Sequence, residues 1–233
     1  MREQAAGGTE GAACRLLVYT IRMIITYHGK QFFKIQHGDT IFACNPISKE
    51  FKMPSGKSTR FGATVALVTT ELPECNGTEQ VTYAGKDPFI VQGPGEYEIG
   101  GIFIRGIYNK THIKNDTKVN TAYFTTIDNI KIGFLGYMSG KLSGDIKEAA
   151  EGVDILFVPV GEDVDGQMNA HDAHSAVVSL EPKIVIPMGY NEKTLPLFLK
   201  EAGVKMLDSI EKLTIKRKDL ENKNSEVVLL SEE

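Results

Sequence analysis

The chain has 233 residues, of which 42% are hydrophobic and 24% are charged, and its formal net charge is −4. This length can bury a sizeable core, and the acidic balance gives no electrostatic reason to expect nucleic acid as a partner. No apolar run approaches the roughly 20 residues of a membrane-spanning helix, and the three cysteines lack metal-finger spacing. We therefore predict a cytoplasmic protein with reduced thiols and no membrane association.

The N-terminal 22 residues differ in character from the rest of the chain. Small and polar residues dominate their first half, which therefore buries little surface. Leu16–Ile21 is apolar but shorter than the apolar region of a signal peptide. We predict a disordered extension over residues 1–22 and a single domain over residues 23–233. Met23 is then an alternative start of the protein to Met1.

Short β-strands are predicted up to about residue 135. Turn signals such as Gly29-Lys30 and His37-Gly38-Asp39 separate short apolar or alternating runs, which indicates hairpins. Val65–Val68 is continuously apolar, as is typical of a strand covered on both faces. The predicted strands are Met23–Tyr27, Phe32–Gln36, Thr40–Ala43, Val65–Val68, Val81–Tyr83, Phe89–Gln92, Tyr97–Ile99, Ile102–Ile107, Thr121–Thr126 and Lys131–Leu135.

One early connection is basic and rich in turns. Its cations, which two phenylalanines accompany, are Lys49, Lys52, Lys57 and Arg60. A solvated loop is the prediction, because the whole chain is acidic, and contact with RNA or an acidic partner is the alternative. Gly93-Pro94-Gly95 lacks the following helix and the Lys-Ser/Thr pair of a phosphate-binding loop, so it predicts a tight turn.

After residue 140, strands alternate with helices. The predicted helices are Ile146–Glu151, a segment from the N-cap Asn169 to about Leu180, and a segment from the N-cap Thr194 to Gly203. The predicted strands are Asp154–Val158, Lys183–Ile186, Leu213–Ile215 and Val227–Leu230. This order predicts an α/β fold in which helices cover mixed sheets.

The connection after strand Val65–Val68 resembles the metal loop of the metallo-β-lactamase superfamily. In that family the pattern Thr-His-x-His-x-Asp-His follows such a strand and holds the catalytic metal. Here the three histidine positions hold Thr70, Leu72 and Cys75, and the aspartate position holds Glu74.

Four further segments resemble the same superfamily, in particular its branch of ascorbate-6-phosphate lactonase-like proteins. Residues 93–98, which read Gly-Pro-Gly-Glu-Tyr-Glu, are the most specific match. In the other three segments, family residues are replaced. Lys30 occupies the position of a histidine, and Asn45 that of an acid. Tyr137 occupies the position of the bridging aspartate, and Gly189 that of the last histidine. The resemblance covers about residues 23–230 and implies an αββα sandwich of two mixed sheets with outer helices.

The substituted positions do not suit a family-type metal site. Leu72 and Gly189 offer no lone pair, and Thr70 and Tyr137 are poor ligands at neutral pH. We therefore expect no cofactor, and a residual cleft formed by Lys30, Asn45, Glu71, Glu74, Cys75, Tyr137 and Tyr190. The alternative is a rebuilt zinc or manganese site that uses Glu71, Glu74, Cys75 or the pair His171 and His174, although those histidines lie off the apolar stripe of their helix.

Two functions follow from this resemblance. The first is a non-catalytic or altered-activity protein that binds a small molecule or a protein partner. The alternative is a metal-dependent hydrolase of a phosphate- or lactone-bearing small molecule. Homo-oligomerisation stays open, because fold does not fix function or assembly.

Overall fold

The computed structural model describes residues 21–53, 55–56, 59–162 and 165–233. The strands are β1 Met23–Tyr27, β2 Phe33–His37, β3 Thr40–Cys44, β4 Val65–Val68, β5 Phe89–Gln92, β6 Gly95–Ile99, β7 Ile102–Ile113, β8 Asp116–Ile127, β9 Ile130–Phe134, β10 Ile155–Pro159, β11 Ile184–Met188, β12 Lys212–Ile215 and β13 Glu226–Val227. The α-helices are α1 Gly144–Ala149, α2 Ala170–Leu180 and α3 Thr194–Glu201, and short 3-10 helices span Thr78–Gln80 and Arg217–Leu220. The extension predicted over residues 1–22 falls almost entirely outside the described residues, as does Lys57.

The strands form two mixed sheets. The six-stranded sheet has the order β12-β1-β2-β3-β4-β5, with an antiparallel half and a parallel half that meet at β3. The seven-stranded sheet has the order β13-β11-β10-β9-β8-β7-β6, and its antiparallel part is dominated by the long β7–β8 hairpin. The prediction of an α/β sandwich of two mixed sheets is confirmed.

The main core lies between the two sheets. Phe33 of β2 meets Phe157 of β10 with ring centroids 4.8 Å apart, and Phe134 of β9 lies 5.3 Å from Phe157. These side chains are fully buried, and each contributes about 1.5–3 kcal/mol through removal of apolar surface from water. The core therefore fixes the spacing of the sheets and of the loops at their ends.

The two outer faces are covered differently. Apolar residues of α1, α2 and α3 pack on the seven-stranded sheet, and Ile146, Ala173 and Phe198 are among those fully buried there. Among the described residues, the outer face of the six-stranded sheet is covered by the β3–β4 connection and Thr78–Gln80. None of the helices in the described part of the chain is long and apolar enough to cross a membrane.

The local signals explain most helix ends. The predicted cap Asn169 accepts a hydrogen bond from Asp172 N at 2.9 Å, and α2 begins at the next residue. Thr194, predicted as a cap, is instead the first residue of α3, because the side chain of Asn191 accepts from its N–H at 3.0 Å. The strand predicted over Val81–Tyr83 is reduced to one bridge between Tyr83 and Lys86, because a turn reverses the chain at once.

Candidate functional site

The loops that carry the replaced family positions converge at one end of the sandwich. They enclose a cavity of about 370 Å³, which we call the main cleft. Its lining residues are Lys30, Phe51, Leu72, Pro73, Glu74, Ile113, Lys114, Tyr137, Asp165 and Gln167. Four of the replaced positions considered from the sequence, Lys30, Leu72, Glu74 and Tyr137, are thus brought together.

A polar cluster of three side chains lies in the main cleft. The Tyr137 hydroxyl donates a hydrogen bond to Glu74 Oε2 at 2.5 Å, and Lys30 Nζ lies 3.5 Å from Glu74 Oε1. Burial raises the pKa of Tyr137 well above its ordinary value, and the neighbouring Glu74 carboxylate raises it further. Tyr137 therefore stays protonated at neutral pH, and Glu74 has both a cation and a hydroxyl as partners.

The cysteine and threonine of the connection that resembles the family's metal loop are turned away from the main cleft. Cys75 is fully buried, and its Sγ donates to Thr70 O at 2.9 Å. Burial raises the pKa of the Cys75 thiol to about 12, so the thiolate that binds metals is not formed near neutral pH. The Thr70 hydroxyl donates to the carbonyl of Val119. Neither residue lines the main cleft.

Asn45 lies behind the main cleft rather than in it. It is fully buried with a positive φ of 51°, a conformation that asparagine tolerates better than most residues. Its Oδ1 accepts from Thr69 N at 3.0 Å, and its Nδ2 donates to Gln31 Oε1 at 3.2 Å. Asn45 thus connects the end of β3 to the beginning of the loop that carries Glu74.

Two other residues considered for the cleft lie outside its lining. Glu71 is exposed and accepts hydrogen bonds from the side chains of Asn76, at 3.1 Å, and Gln92. Tyr190 is half-buried against the helical core, and burial raises its pKa.

Gln167 occupies the space beside Gly189. A Cβ added to Gly189 would lie only 2.1 Å from Gln167 Oε1, so any side chain at position 189 meets this amide. Gly189 has a φ of +69° and donates its N–H to the carbonyl of Lys30 at 2.8 Å. Gln167, Asp165 and Lys114 were not considered from the sequence, because they stand in connections that carry no recognised motif.

The donors of the main cleft do not fit a zinc or manganese ion of the family type. Of the described residues that line it, only Glu74 and Asp165 offer carboxylates, while Leu72 has no donor and Tyr137 is protonated. No group of three or more His, Cys, Asp or Glu that could hold a metal occurs among the residues the structure describes.

His171 and His174 do not supply ligands to the main cleft. They lie on the surface of α2, where His171 is 77% exposed and its Nδ1 is 3.8 Å from Glu201 Oε2 of α3. Neither is among the residues that line the cleft. A rebuilt site that combined these histidines with Glu74 has no support in this arrangement.

Comparison with known proteins agrees with this architecture. The family model of the beta-lactamase superfamily domain matches residues 24–189. A protein named a metal-dependent hydrolase from Listeria monocytogenes serotype 4a (strain HCC23) is 26% identical over 211 residues, which cover 77% of this chain and 89% of that protein. A similarly named protein from Listeria innocua is 25% identical and covers 75% of this chain and 87% of its own.

Solved structures show the same fold. A Thermotoga maritima protein, described as a zinc-dependent hydrolase of the metallo-β-lactamase superfamily, superposes with a TM-score of 0.69 and 21% identity, over 89% of this chain and 98% of its own. The metallo-β-lactamase fold protein YhfI from Bacillus subtilis gives a TM-score of 0.58 at 11% identity, over 84% of this chain and its full length. At such identities the likeness extends to the fold alone.

Proposed function

Because this chain belongs to the family of the beta-lactamase superfamily domain, we propose that its main cleft is a converted metal site that binds a small polar molecule without family-type metal catalysis. The observation that carries the proposal is the cluster of Lys30, Glu74 and Tyr137, which stands at three replaced family positions and satisfies its own charges. Leu72 and Gly189 stand at two further positions and offer no ligand atom.

The energetic argument concerns the nucleophile. A bound metal lowers the pKa of water from about 15.7 to about 7. At about 1.4 kcal/mol per pKa unit, this amounts to roughly 12 kcal/mol of activation. A single Glu74 carboxylate held by a cation and a hydroxyl does not supply a comparable activation of water.

The ligand class follows from the charges that line the main cleft. Among the described lining residues, Lys30 and Lys114 are balanced by Glu74 and Asp165, so this part of the lining has both signs and no net charge. A small molecule with both a cationic and an anionic group, such as an amino acid, complements this lining. A protein partner and a homo-oligomer remain predictions from the sequence.

Metal content tests the proposal most directly. The protein is expressed in medium supplemented with zinc, manganese and iron, purified without chelators, and measured by inductively coupled plasma mass spectrometry. We expect far less than one equivalent of each metal, with the same trace content in Glu74→Ala. One or two equivalents that disappear in Glu74→Ala would overturn the proposal.

Ligand binding is tested separately by thermal shift with the common amino acids. At least one zwitterion is expected to raise the unfolding temperature, and Asp165→Asn is expected to reduce that shift. Glu192→Gln, which changes an exposed acid outside the cleft lining, serves as the charge-matched control. A flat response across the whole set counts against the binding function.

The second candidate is a metal-dependent hydrolase of a phosphate- or lactone-bearing small molecule. The names of the Listeria relatives and the two carboxylates Glu74 and Asp165 in one cleft favour it. Its test is the hydrolysis of 4-nitrophenyl phosphate and of γ-butyrolactone with added Mn²⁺ or Zn²⁺. Turnover that EDTA abolishes, and that Glu74→Gln and Asp165→Asn each remove, would establish this function instead.

A further inference from the structure

A second cavity lies beneath the β3–β4 connection, on the outer face of the six-stranded sheet. Its volume is about 400 Å³, and we call it the loop-side cavity. Its apolar lining includes Phe32, Phe51 and Met53. Its cationic lining consists of Lys49, Lys52 and Arg60. The described part of the basic connection thus folds over an apolar pocket, while Lys49, Lys52 and Arg60 are exposed, as the prediction of a solvated loop has it.

The cations of the loop-side cavity have no carboxylate partners in the part of the chain that the structure describes. None of Lys49, Lys52 and Arg60 forms an ion pair with any residue that the structure describes, and no carboxylate belongs to the described lining. The nearby Glu79 carboxylate accepts from the backbone N–H of Lys49 at 3.0 Å rather than pairing with its ammonium group. In a chain with a net charge of −4, this leaves a local excess of positive charge at one concave site.

Arg60 is held in place by a neutral partner. Its Nε donates a hydrogen bond to Gln80 Oε1 at 2.9 Å, and Gln80 is buried in the 3-10 helix below. This bond orients the guanidinium group, and no described carboxylate pairs with its charge. The terminal N–H groups of a guanidinium form the fork that matches the oxygens of phosphate or phosphonate.

The inner wall of the loop-side cavity is aromatic and includes His28, whose Nδ1 lies 3.7 Å from Glu233 Oε2. The rings of His28 and Phe32 lie 5.0 Å apart, and Phe32 stacks on Phe61 at 5.7 Å with an interplanar angle of 18°. Burial lowers the pKa of His28 to about 4, so its imidazole is neutral at physiological pH. A planar apolar group of a ligand would find a matching surface here.

We propose that the loop-side cavity binds a small organic anion in which an aromatic ring carries a phosphate-like group. The ring packs against Phe32 and Phe51, and the anionic oxygens meet Arg60, Lys49 and Lys52. A small molecule fits better than a nucleic-acid strand, because the three cations surround one cavity instead of following an extended surface path. This inference does not depend on the function proposed for the main cleft.

Isothermal titration calorimetry with phenylphosphonate tests the inference, because this probe combines a ring and a dianion and resists hydrolysis. Phenylphosphonate is expected to bind more tightly than inorganic phosphate, and the neutral benzyl alcohol is expected not to bind. Arg60→Gln and Lys52→Gln are each expected to weaken phenylphosphonate binding about tenfold, which corresponds to about 1.4 kcal/mol for one charge-assisted contact.

Two matched control variants show whether phenylphosphonate binding is specific to the loop-side cavity. Lys205→Gln removes an exposed lysine that lines neither cavity, and Lys114→Gln removes a lysine of the main cleft alone. Both are expected to leave phenylphosphonate binding unchanged. Lys52 is exposed and makes no side-chain hydrogen bond or ion pair among the described residues, so Lys52→Gln keeps the test valid if Arg60→Gln does not fold.

Three results would overturn the inference. The first is no phenylphosphonate binding by the unmodified protein. The second is equal weakening by Lys205→Gln, which would indicate a nonspecific charge effect. The third is a single-stranded oligonucleotide that binds while phenylphosphonate does not, with binding lost in Lys52→Gln, which would identify a nucleic-acid surface instead.

Discussion

The main cleft and the loop-side cavity are neighbours that share Phe51, yet their charged side chains differ in whether they are paired with an opposite charge. In the main cleft, Lys30 pairs with Glu74 and Tyr137 completes the cluster. In the loop-side cavity, Lys49, Lys52 and Arg60 have no carboxylate partners among the described residues. The paired cluster of Lys30, Glu74 and Tyr137 is stable without a metal ion, whereas cations without a paired carboxylate around an apolar wall favour an anion from outside.

The largest loss of stability is expected for a change at Asn45, a buried residue beside both the main cleft and the loop-side cavity. Asn45 stands where the connection over the loop-side cavity begins, and it holds Thr69 N at the start of the main-cleft loop. Asn45→Ala is expected to lower the free energy of unfolding by about 3 kcal/mol, because it leaves buried polar groups at Thr69 and Gln31 without partners.

Urea denaturation measures this loss. Asn76→Ala, which removes only a hydrogen bond to the exposed Glu71, is the control and is expected to change stability by less than about 0.5 kcal/mol. Equal losses in the two variants would show that Asn45 does not hold the two loops together.

The second prediction concerns the wall of the loop-side cavity. In the unfolded chain the His28 imidazole takes up a proton near pH 6.5, whereas in the folded protein it stays neutral down to about pH 4. Its contribution to stability is therefore complete above pH 6.5 and is lost as the pH falls through this window. Between pH 7 and pH 5 the loss is about 2 kcal/mol.

Denaturation of the unmodified protein and of His28→Phe at both pH values isolates this contribution. His28→Phe keeps a ring in the wall. Between pH 7 and pH 5 its free energy of unfolding is expected to fall by about 2 kcal/mol less than that of the unmodified protein. His171→Phe, on the exposed face of α2, is the control for the loss of a histidine outside the cavity wall. If the free energy of unfolding of His28→Phe depends on pH as that of the unmodified protein does, the pKa of His28 is not lowered in the folded protein.

The third prediction concerns Gly189, which lies beside Gln167 of the main cleft. Gly189→Ala is expected to lower the free energy of unfolding by about 1–2 kcal/mol because of the positive φ at this position. The loss is expected to be somewhat larger because the new methyl group meets Gln167. Gly203→Ala has nearly the same φ, +67°, and no neighbouring atom within 4 Å, so it measures the backbone cost alone.

The difference between these two glycine variants, measured by thermal or urea unfolding, reports the crowding by Gln167. In a Gln167→Ala background this difference is expected to disappear. If it persists there, Gln167 is not what fills the space beside Gly189.

The smallest effect is expected for the hydroxyl of the cleft cluster. Tyr137→Phe removes its hydrogen bond to Glu74 and is expected to lower the free energy of unfolding by about 1 kcal/mol, since Glu74 keeps Lys30 as a partner. Tyr108→Phe, at a 47% exposed position on β7, is the control and is expected to have almost no effect. Identical stabilities for both variants would contradict the self-satisfied cluster.

Much of the fold was predictable because its signals are local. The apolar run Val65–Val68, the cap Asn169 and the proline-ended strands of the second half all depend on residues near one another in the chain. The long β7–β8 hairpin was predicted too short, because its outer halves are mostly polar, and are held by cross-strand pairing rather than by an apolar pattern.

The sequence by itself determined the order of strands and helices, and its resemblance to the family predicts that Thr70, Leu72, Tyr137 and Gly189 stand in place of metal ligands. Only the tertiary structure decided that Tyr137 meets Glu74, 63 residues away, and that Gln167 lies beside Gly189. Periodicity and motifs report neighbours within a few residues, whereas the charge balance of a cavity depends on side chains that only the packed sheets bring together.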